Sequence, residues 1–314
     1  METDFKLYHI AKLYYIDKMK QSEIADIYDI STMLVSRLLK KAVEQGIVTI
    51  SVKQPINIDT NLGQKLMKRF PLIKECLVAQ EETAGYSPRR QIGQLAAQYV
   101  AGVLKDGNII GISWGKAIYE FVLAMPTVSM PNCQVIQLKG GFLNLNNHLL
   151  VPANLVRIMG EKLSCSSLYL NAPLFVANSE IREQLEQDSS NSHLLKLAEN
   201  ADINVFGASA LGTASTMANM GVLSKDDVEE LEALKSLGDV DGCFINAAGD
   251  EVFWSKSDCC IGVRLSVVSK ARHAVCLASG EEKAAVCKVA LEKGLFNVFI
   301  TTSDLAGKIL ALGD

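Results

Sequence analysis

Six residues, Thr32, Met33, Ser36, Arg37, Lys40 and Lys41, recur at helical spacing opposite an apolar stripe of Leu34, Val35, Leu38, Leu39 and Ala42. Short hydroxyls and a methionine come first and cations follow. That order suits contact with base edges near a helix start and with phosphates further along. Arg37 can approach a guanine edge with two hydrogen bonds, whereas Lys40 and Lys41 are more natural phosphate partners. From these residues alone, a solvated cationic face explains the pattern equally well. A second set of groups sits in short glycine- or hydroxyl-bearing stretches: Gly111-Ile112-Ser113-Trp114-Gly115-Lys116, Gln137-Leu138-Lys139-Gly140-Gly141, Asn171-Ala172-Pro173, Gly207-Ala208-Ser209 and Ser279-Gly280-Glu281-Glu282-Lys283. The first of them follows a strand pattern and opens a helix, so its backbone N–H groups and the helix dipole can hold an anion. Any one of these glycines is explained by a simple turn, but together the stretches describe a polar pocket.

The first set needs a helix held against two others. Leu7, Ile10, Leu13 and Tyr14 form a 3,4-spaced apolar stripe that ends near Asp17 to Lys20. A second helix is expected from Gln21 to about Ile27 with Ile24, Ala25 and Ile27 inward, and a third from about Thr32 to Gln45. Only Tyr28-Asp29-Ile30-Ser31 separates them, which defines a helix-turn-helix, and Asp29 tolerates the left-handed conformation such a turn needs. Ser31 is placed as the N-cap of the third helix. Gln21 and Ser22, which open the second helix, join Ser31 and the six outward residues as the candidate DNA-contacting set. Gly46 stops the third helix, and the β-branched run Ile47 to Val52 reads as a short winged strand.

Residues 1–54 are thus expected to form one domain and residues 55–314 another, joined across the polar stretch Lys53 to Thr60 with its Pro55. A helix from Asn61 to Phe70 leads into β-α alternation. The strands are CLVA, NIIGIS, VIQL, SLYL, INVFGAS, CFINA, HAVCLAS and NVFIT, with helices near Arg89 to Leu104, from Lys116, and near Ala153 to Leu163. Apolar strands separated by helices predict an α/β domain with a mainly parallel sheet covered on both faces. Its ligand belongs beyond the carboxyl ends of the strands, where the glycine- and hydroxyl-bearing stretches fall.

Composition narrows the classes. The 314 residues, 49% of them apolar, suffice for about two packed domains. The longest apolar runs, such as Val103 to Ile112, are interrupted well short of the roughly 20 residues a membrane span requires. The first residues mix charges through their apolar positions, unlike a secretory signal, so a cytoplasmic protein with no membrane partner is expected. Eight cysteines lie scattered through apolar segments without CxxC pairs and read as buried thiols, so no metal site or cofactor is expected. The net charge of −4 divides unevenly: residues 1–70 carry 11 Lys and Arg against 8 Asp and Glu, a balance of +3 that leaves −7 for the remainder. The basic excess sits at the amino end, as in a tethered DNA-binding head.

The stretch QSEIA followed by VSRLLKKAVEQGIV resembles the head of the SorC family of bacterial sugar-responsive transcription regulators. Beyond it, DGNIIGISWGKAI, VIQLKGG, LYLNAPLFV, LGDVDGCFINAAGD and the long run from Cys260 to Leu310 resemble the effector domain of that family, which has the fold of sugar-phosphate isomerases and deaminases. The resemblance implies a repressor of a carbohydrate-utilisation operon that binds double-stranded operator DNA. It also implies a phosphorylated-sugar effector and a dimeric or tetrameric assembly. Carried over, it puts Ser113, Gly115, Lys116, Gly140, Gly141 and Lys283 around phosphate or sugar, with Asp239 accepting sugar hydroxyls. Asn171 and Ser209 join them from neighbouring strand ends, and Lys139 supplies a cation where the family has a small or amide residue. Further departures are Lys20 in place of a Ser/Thr cap, Ala117 and Ile118 where a threonine is common, Asn246 in place of Asp, and Ser279 in place of Gly.

The rival reading is an enzyme with an accessory head. It requires a positioned general base, for which His148, His273 and Asp239 are the candidates. No second acid/base partner stands at a recognisable spacing, so no catalytic residue is assigned.

Overall fold

The 3.6-residue periodicity at the amino end becomes three helices, α1 (Glu2–Tyr15), α2 (Gln21–Tyr28) and α3 (Thr32–Glu44), in a computed structural model that describes residues 2–48, 56–80, 87–142, 150–212 and 215–313. The chain divides into two units, Met1–Pro55 and Ile56–Asp314. In the first, Leu7, Ile10 and Ala11 of α1 pack on Ile24 and Ala25 of α2 and on Val35, Leu39 and Ala42 of α3. Asp29 between α2 and α3 takes φ 49°, and the Ile30 N–H donates to the Ala25 carbonyl at 3.0 Å. Two apolar residues expected inside face out: Ile27 is 58% exposed and Leu34 37%. Three short helices enclose only a narrow core, and both residues sit a step of the helix away from the buried pairs Ile24/Ala25 and Val35/Leu39. In the expected winged strand, Ile47 and Val48 form a bend, with the Val48 N–H donated to the Ala42 carbonyl at 3.0 Å. The rest of that strand and the linker segment 53–55 lie outside the described residues.

The second unit opens with α4 (Thr60–Arg69), β1 (Glu75–Ala79), α5 (Pro88–Val103), β2 (Ile109–Ile112), α6 (Lys116–Ala124), β3 (Gln134–Gln137), α7 (Pro152–Leu163) and β4 (Ser166–Leu168). It continues through α8 (Ser179–Gln187), α9 (Ser189–Ala198), β5 (Ile203–Ala210), α10 (Thr216–Asn219), α11 (Lys225–Ala233), β6 (Gly238–Val240) and β7 (Cys243–Ile245). It closes with α12 (Leu265–Val268), β8 (His273–Leu277), α13 (Ala284–Glu292), β9 (Val298–Thr302) and α14 (Ser303–Ala311). Seven strands pair in parallel in the order β1-β9-β8-β5-β2-β3-β4. Alternate residues enter different apolar clusters: Val275 and Leu277 pack in one, Ala274 and Cys276 in the other, so both faces of the sheet are covered. The strand expected as SLYL ends at Leu168, and its last two residues lead into the loop before α8.

Two features bear on the site. From β2 the chain runs outward through β3 to β4, whereas from β5 it runs the other way through β8 and β9, so the strand order reverses between β5 and β2. Open α/β sheets bind ligands at the carboxyl side of such a reversal. The far half of β5 also pairs antiparallel with β6, Ser209 facing Asp239, and β6 pairs antiparallel with β7. At the opposite seam, β1 pairs only with β9 among the described strands. The Arg69 guanidinium at the end of α4 donates to the carbonyls of Ile309, Leu310 and Leu312 at 3.2, 3.0 and 2.6 Å, fastening α4 to the carboxyl end of α14.

Candidate functional site

On α3 the apolar side is fixed by burial of Val35, Leu39 and Ala42, which leaves Ser31, Thr32, Met33, Ser36, Arg37, Lys40 and Lys41 exposed. Ser31 caps the helix, its Oγ accepting from the Leu34 N–H at 3.2 Å. Ser22 is exposed and Gln21 half-buried at the start of α2. At the cap of α2 the Lys20 N–H donates to the Glu23 carboxylate at 2.8 Å, but an ammonium accepts nothing, so only half of a capping box forms there. The missing half costs about 1 kcal/mol. The arrangement presents hydroxyls and Met33 at one end of an exposed helix face and three cations along it.

In the second unit a cavity of about 300 Å³ opens at the carboxyl ends of β2, β5 and β8. Ser113, Gly115 and Lys116 reach it from the β2–α6 junction, Ser209 from β5, Asp239 from β6, and Ser279 and Lys283 from the loop after β8. Arg89 near the start of α5 adds a third cation. Lys139, Gly140, Gly141 and Asn171 lie elsewhere. Segment 138–141 is clasped between two other segments of the chain, the Gly140 N–H donating to the Ile261 carbonyl at 3.0 Å and the Gly141 N–H to the Ala172 carbonyl at 2.8 Å. A side chain at Gly140 would put its Cβ 2.5 Å from the Pro173 carbonyl oxygen, so glycine is needed there for close approach. Asn171 is bound by α9, its N–H donating to Asn191 Oδ1 at 2.8 Å and its amide to Ser190 Oγ at 3.3 Å.

Lys139 is buried behind the cavity. Its Nζ donates to the Val263 carbonyl at 2.7 Å and stands 3.4 Å from Asp241 Oδ2, while Asp241 Oδ1 accepts from Ser113 Oγ at 2.6 Å. A line of three buried groups thus runs from an ammonium behind the cavity to a hydroxyl on its wall. Burial works against the Lys139 ammonium, but the facing Asp241, with Cys260 and Cys243 beside it, raises it on balance above the ordinary lysine value. Burial likewise raises Asp241, against the pull of Lys139 and Ser113.

The sequence reading missed Asp241, although a signal for it existed. Asp241-Gly242 joins β6 to β7 as a two-residue loop with φ 53° and 74°, the doubly left-handed turn that Asp-Gly between paired strands favours. That turn also sets Asp239: its Oδ1 accepts from the Gly242 N–H at 3.0 Å, while its buried Oδ2 has no hydrogen-bond partner. Burial pushes the Asp239 carboxyl up to about 7, opposed by the Gly242 N–H and Lys283. A buried carboxylate oxygen without a donor, on the wall of a cavity that also holds three cations, is suited to a ligand bearing both hydroxyls and an anion.

The enzyme reading gains nothing from the geometry. His273 opens β8 at the amino ends of the strands, away from the cavity, and its Nδ1 lies 2.8 Å from the Tyr99 hydroxyl. His148 lies outside the described residues. Among those described, no histidine lines the cavity.

Comparison with known proteins gives two family matches, "Putative sugar-binding domain" over residues 54–311 and "Sigma-70, region 4" over residues 9–45. The sorbitol operon regulator of Klebsiella pneumoniae is 28% identical over 308 residues, covering 96% of each chain. The deoxyribonucleoside regulator of Bacillus subtilis (strain 168) is 27% identical over 293 residues, covering 92% of each. The crystal structure of the full-length Klebsiella sorbitol operon regulator SorC superposes with a TM-score of 0.74 at 26% identity, covering 97% of both chains.

Proposed function

Because this chain belongs to the SorC family of sugar-binding transcriptional regulators, we propose that it is a repressor of a carbohydrate-utilisation operon whose affinity for operator DNA is set by a phosphorylated sugar. The observation that carries the effector assignment is the pairing, in one cavity, of the cations Arg89, Lys116 and Lys283 with the partnerless Asp239 oxygen. Phosphate suits the first group and vicinal hydroxyls the second. The protein works in the cytoplasm as a dimer or tetramer, since two copies of the α3 face suit a palindromic operator. No described helix is long and apolar enough to cross a membrane. The relatives are named as regulators, and the second carboxylate on the cavity wall, Asp241, is held by Lys139 and Ser113 rather than left to exchange protons, so no turnover of sugar phosphates is expected.

A thermal-shift panel of sugar phosphates beside the corresponding free sugars tests the effector. A ligand at about 100 times its dissociation constant adds roughly 2.7 kcal/mol, on the order of 5 to 10 °C for a unit of this size. Equal shifts with free and phosphorylated sugar, or none with any phosphate, would refute the anion assignment. For the DNA face, Arg37→Ala should cost about 1–3 kcal/mol and relax specificity at one base position, whereas Lys40→Ala should weaken all sequences alike and reduce the salt slope by about one. Titrations of operator and scrambled DNA at several salt concentrations read both effects, and an unchanged sequence preference in Arg37→Ala removes that residue from base readout.

A further inference from the structure

The cavity walls differ in kind. Ser113, Ser209, Asp239, Asp241 and Ser279 line it with polar groups, all buried. Ile118, Leu150, Met220 and Leu277 line it too, exposed by only 1%, 3%, 8% and 1%, and they belong to a single packed cluster on one face of the sheet. None of these four supplies a strong hydrogen-bonding group, and Ala117 beside Ile118 adds only a methyl. The polar side chains nearest this wall turn to other partners, Thr216 Oγ1 accepting from Ser209 Oγ at 3.4 Å and Asn219 having a partner of its own. Among the described residues, a sugar hydroxyl turned toward the side chains of Ile118, Leu150 and Met220 would leave water and meet no hydrogen-bonding side chain on those three in exchange.

We infer that Ile118, Leu150 and Met220 set the selectivity of the sensor, admitting an effector that turns toward them a carbon without a hydroxyl, either a deoxy or a methyl carbon, while its hydroxyls meet Asp239. This rests on the phosphorylated-sugar reading above. The cavity volume, at the small end of the range for ligand pockets, suits one monosaccharide phosphate. An apolar wall discriminates against an added hydroxyl by about 10- to 100-fold, less than a wall of specific hydrogen-bond donors achieves. The preference should therefore be clear but not absolute.

Calorimetric titration of the whole 314-residue chain with matched pairs tests the inference. The pairs are 2-deoxyribose 5-phosphate with ribose 5-phosphate, 2-deoxyglucose 6-phosphate with glucose 6-phosphate, and L-rhamnulose 1-phosphate with L-fructose 1-phosphate. The tightest ligand is expected to be a deoxy member, binding at least about tenfold better than its hydroxylated twin. Ile118→Thr, which supplies a hydroxyl on that wall, should narrow the ratio toward one. Should that variant fail to fold, Met220→Gln supplies an amide on the same wall and carries the same expectation. A hydroxylated twin that binds as tightly as its deoxy partner, or a ratio untouched by either variant, overturns the selectivity while leaving the sugar-phosphate reading intact. No binding by any phosphate overturns that reading, and this inference with it.

Discussion

Replacing Lys139 by methionine is expected to lower the unfolding free energy of the larger unit by about 3–5 kcal/mol, because it leaves the buried Asp241 carboxylate facing no cation. The hydrophobic stem of lysine is retained by methionine, so little of the loss comes from packing. Asp241 can relieve part of the cost by taking up a proton. Its carboxyl is already raised by burial and rises further without Lys139, so the variant keeps more of its stability at acid pH and loses it as pH climbs. Urea unfolding followed by Trp114 and Trp254 fluorescence at pH 5.5 and 8 reads the effect. Lys139→Met combined with Asp241→Asn should recover most of it, since asparagine tolerates the left-handed backbone at 241 and still accepts from Ser113. A double variant no more stable than Lys139→Met alone would refute the pairing as the cause.

Asp239→Asn is expected to leave the fold intact and to weaken effector binding by about 1.5–3 kcal/mol, roughly 10- to 150-fold, by removing the charge from hydroxyl hydrogen bonds. The amide oxygen can still accept from the Gly242 N–H, so the turn persists. The pH dependence follows from the raised carboxyl. In the free protein Asp239 holds its proton up to about pH 7, so its contribution to folding is complete below the unfolded carboxyl range and is lost as pH rises through 7. Hydroxyl donors favour the ionised form, so ligand binding expels that proton and affinity climbs between pH 6 and 8. Calorimetry in buffers of differing ionisation enthalpy counts the proton. A phosphate ligand with its own ionisation near 6 adds a background slope, and the asparagine variant should retain that slope alone. Identical pH profiles for both proteins would remove Asp239 from the ligand contact.

The parts of this molecule that were legible beforehand are those with a repeating local signal. The helix-turn-helix could be read because three apolar stripes and a turn residue suited to positive φ fall within fewer than fifty residues. Ser113 and Lys116 could be placed because their stretch follows a strand and opens a helix, a position that geometry sends to the carboxyl edge of a parallel sheet, whereas Lys283 was placed by family resemblance. Lys139 shows the limit of that argument. It too ends a strand, but strand periodicity does not say on which side of the edge a clasped segment will lie, and segments 172–174 and 261–263 decide it. Arg89 and Met220 were illegible for a different reason: each approaches the cavity from an element distant in sequence, with no motif of its own. Ile27 and Leu34 were misread because short helices leave apolar residues on a surface that periodicity alone would bury.

The seam between β1 and β9 has a consequence for the order in which the protein comes to exist. β1 is made early but gains its only described strand neighbour when residues 298–302 arrive, and Arg69 must wait longer still for the carbonyls of Ile309 to Leu312. At about 5–20 residues per second, more than ten seconds of synthesis separate the two halves of that seam. The three-helix head needs nothing beyond its own residues for its core. During that interval a growing chain carries a head whose core is complete beside a sheet still missing its last strand.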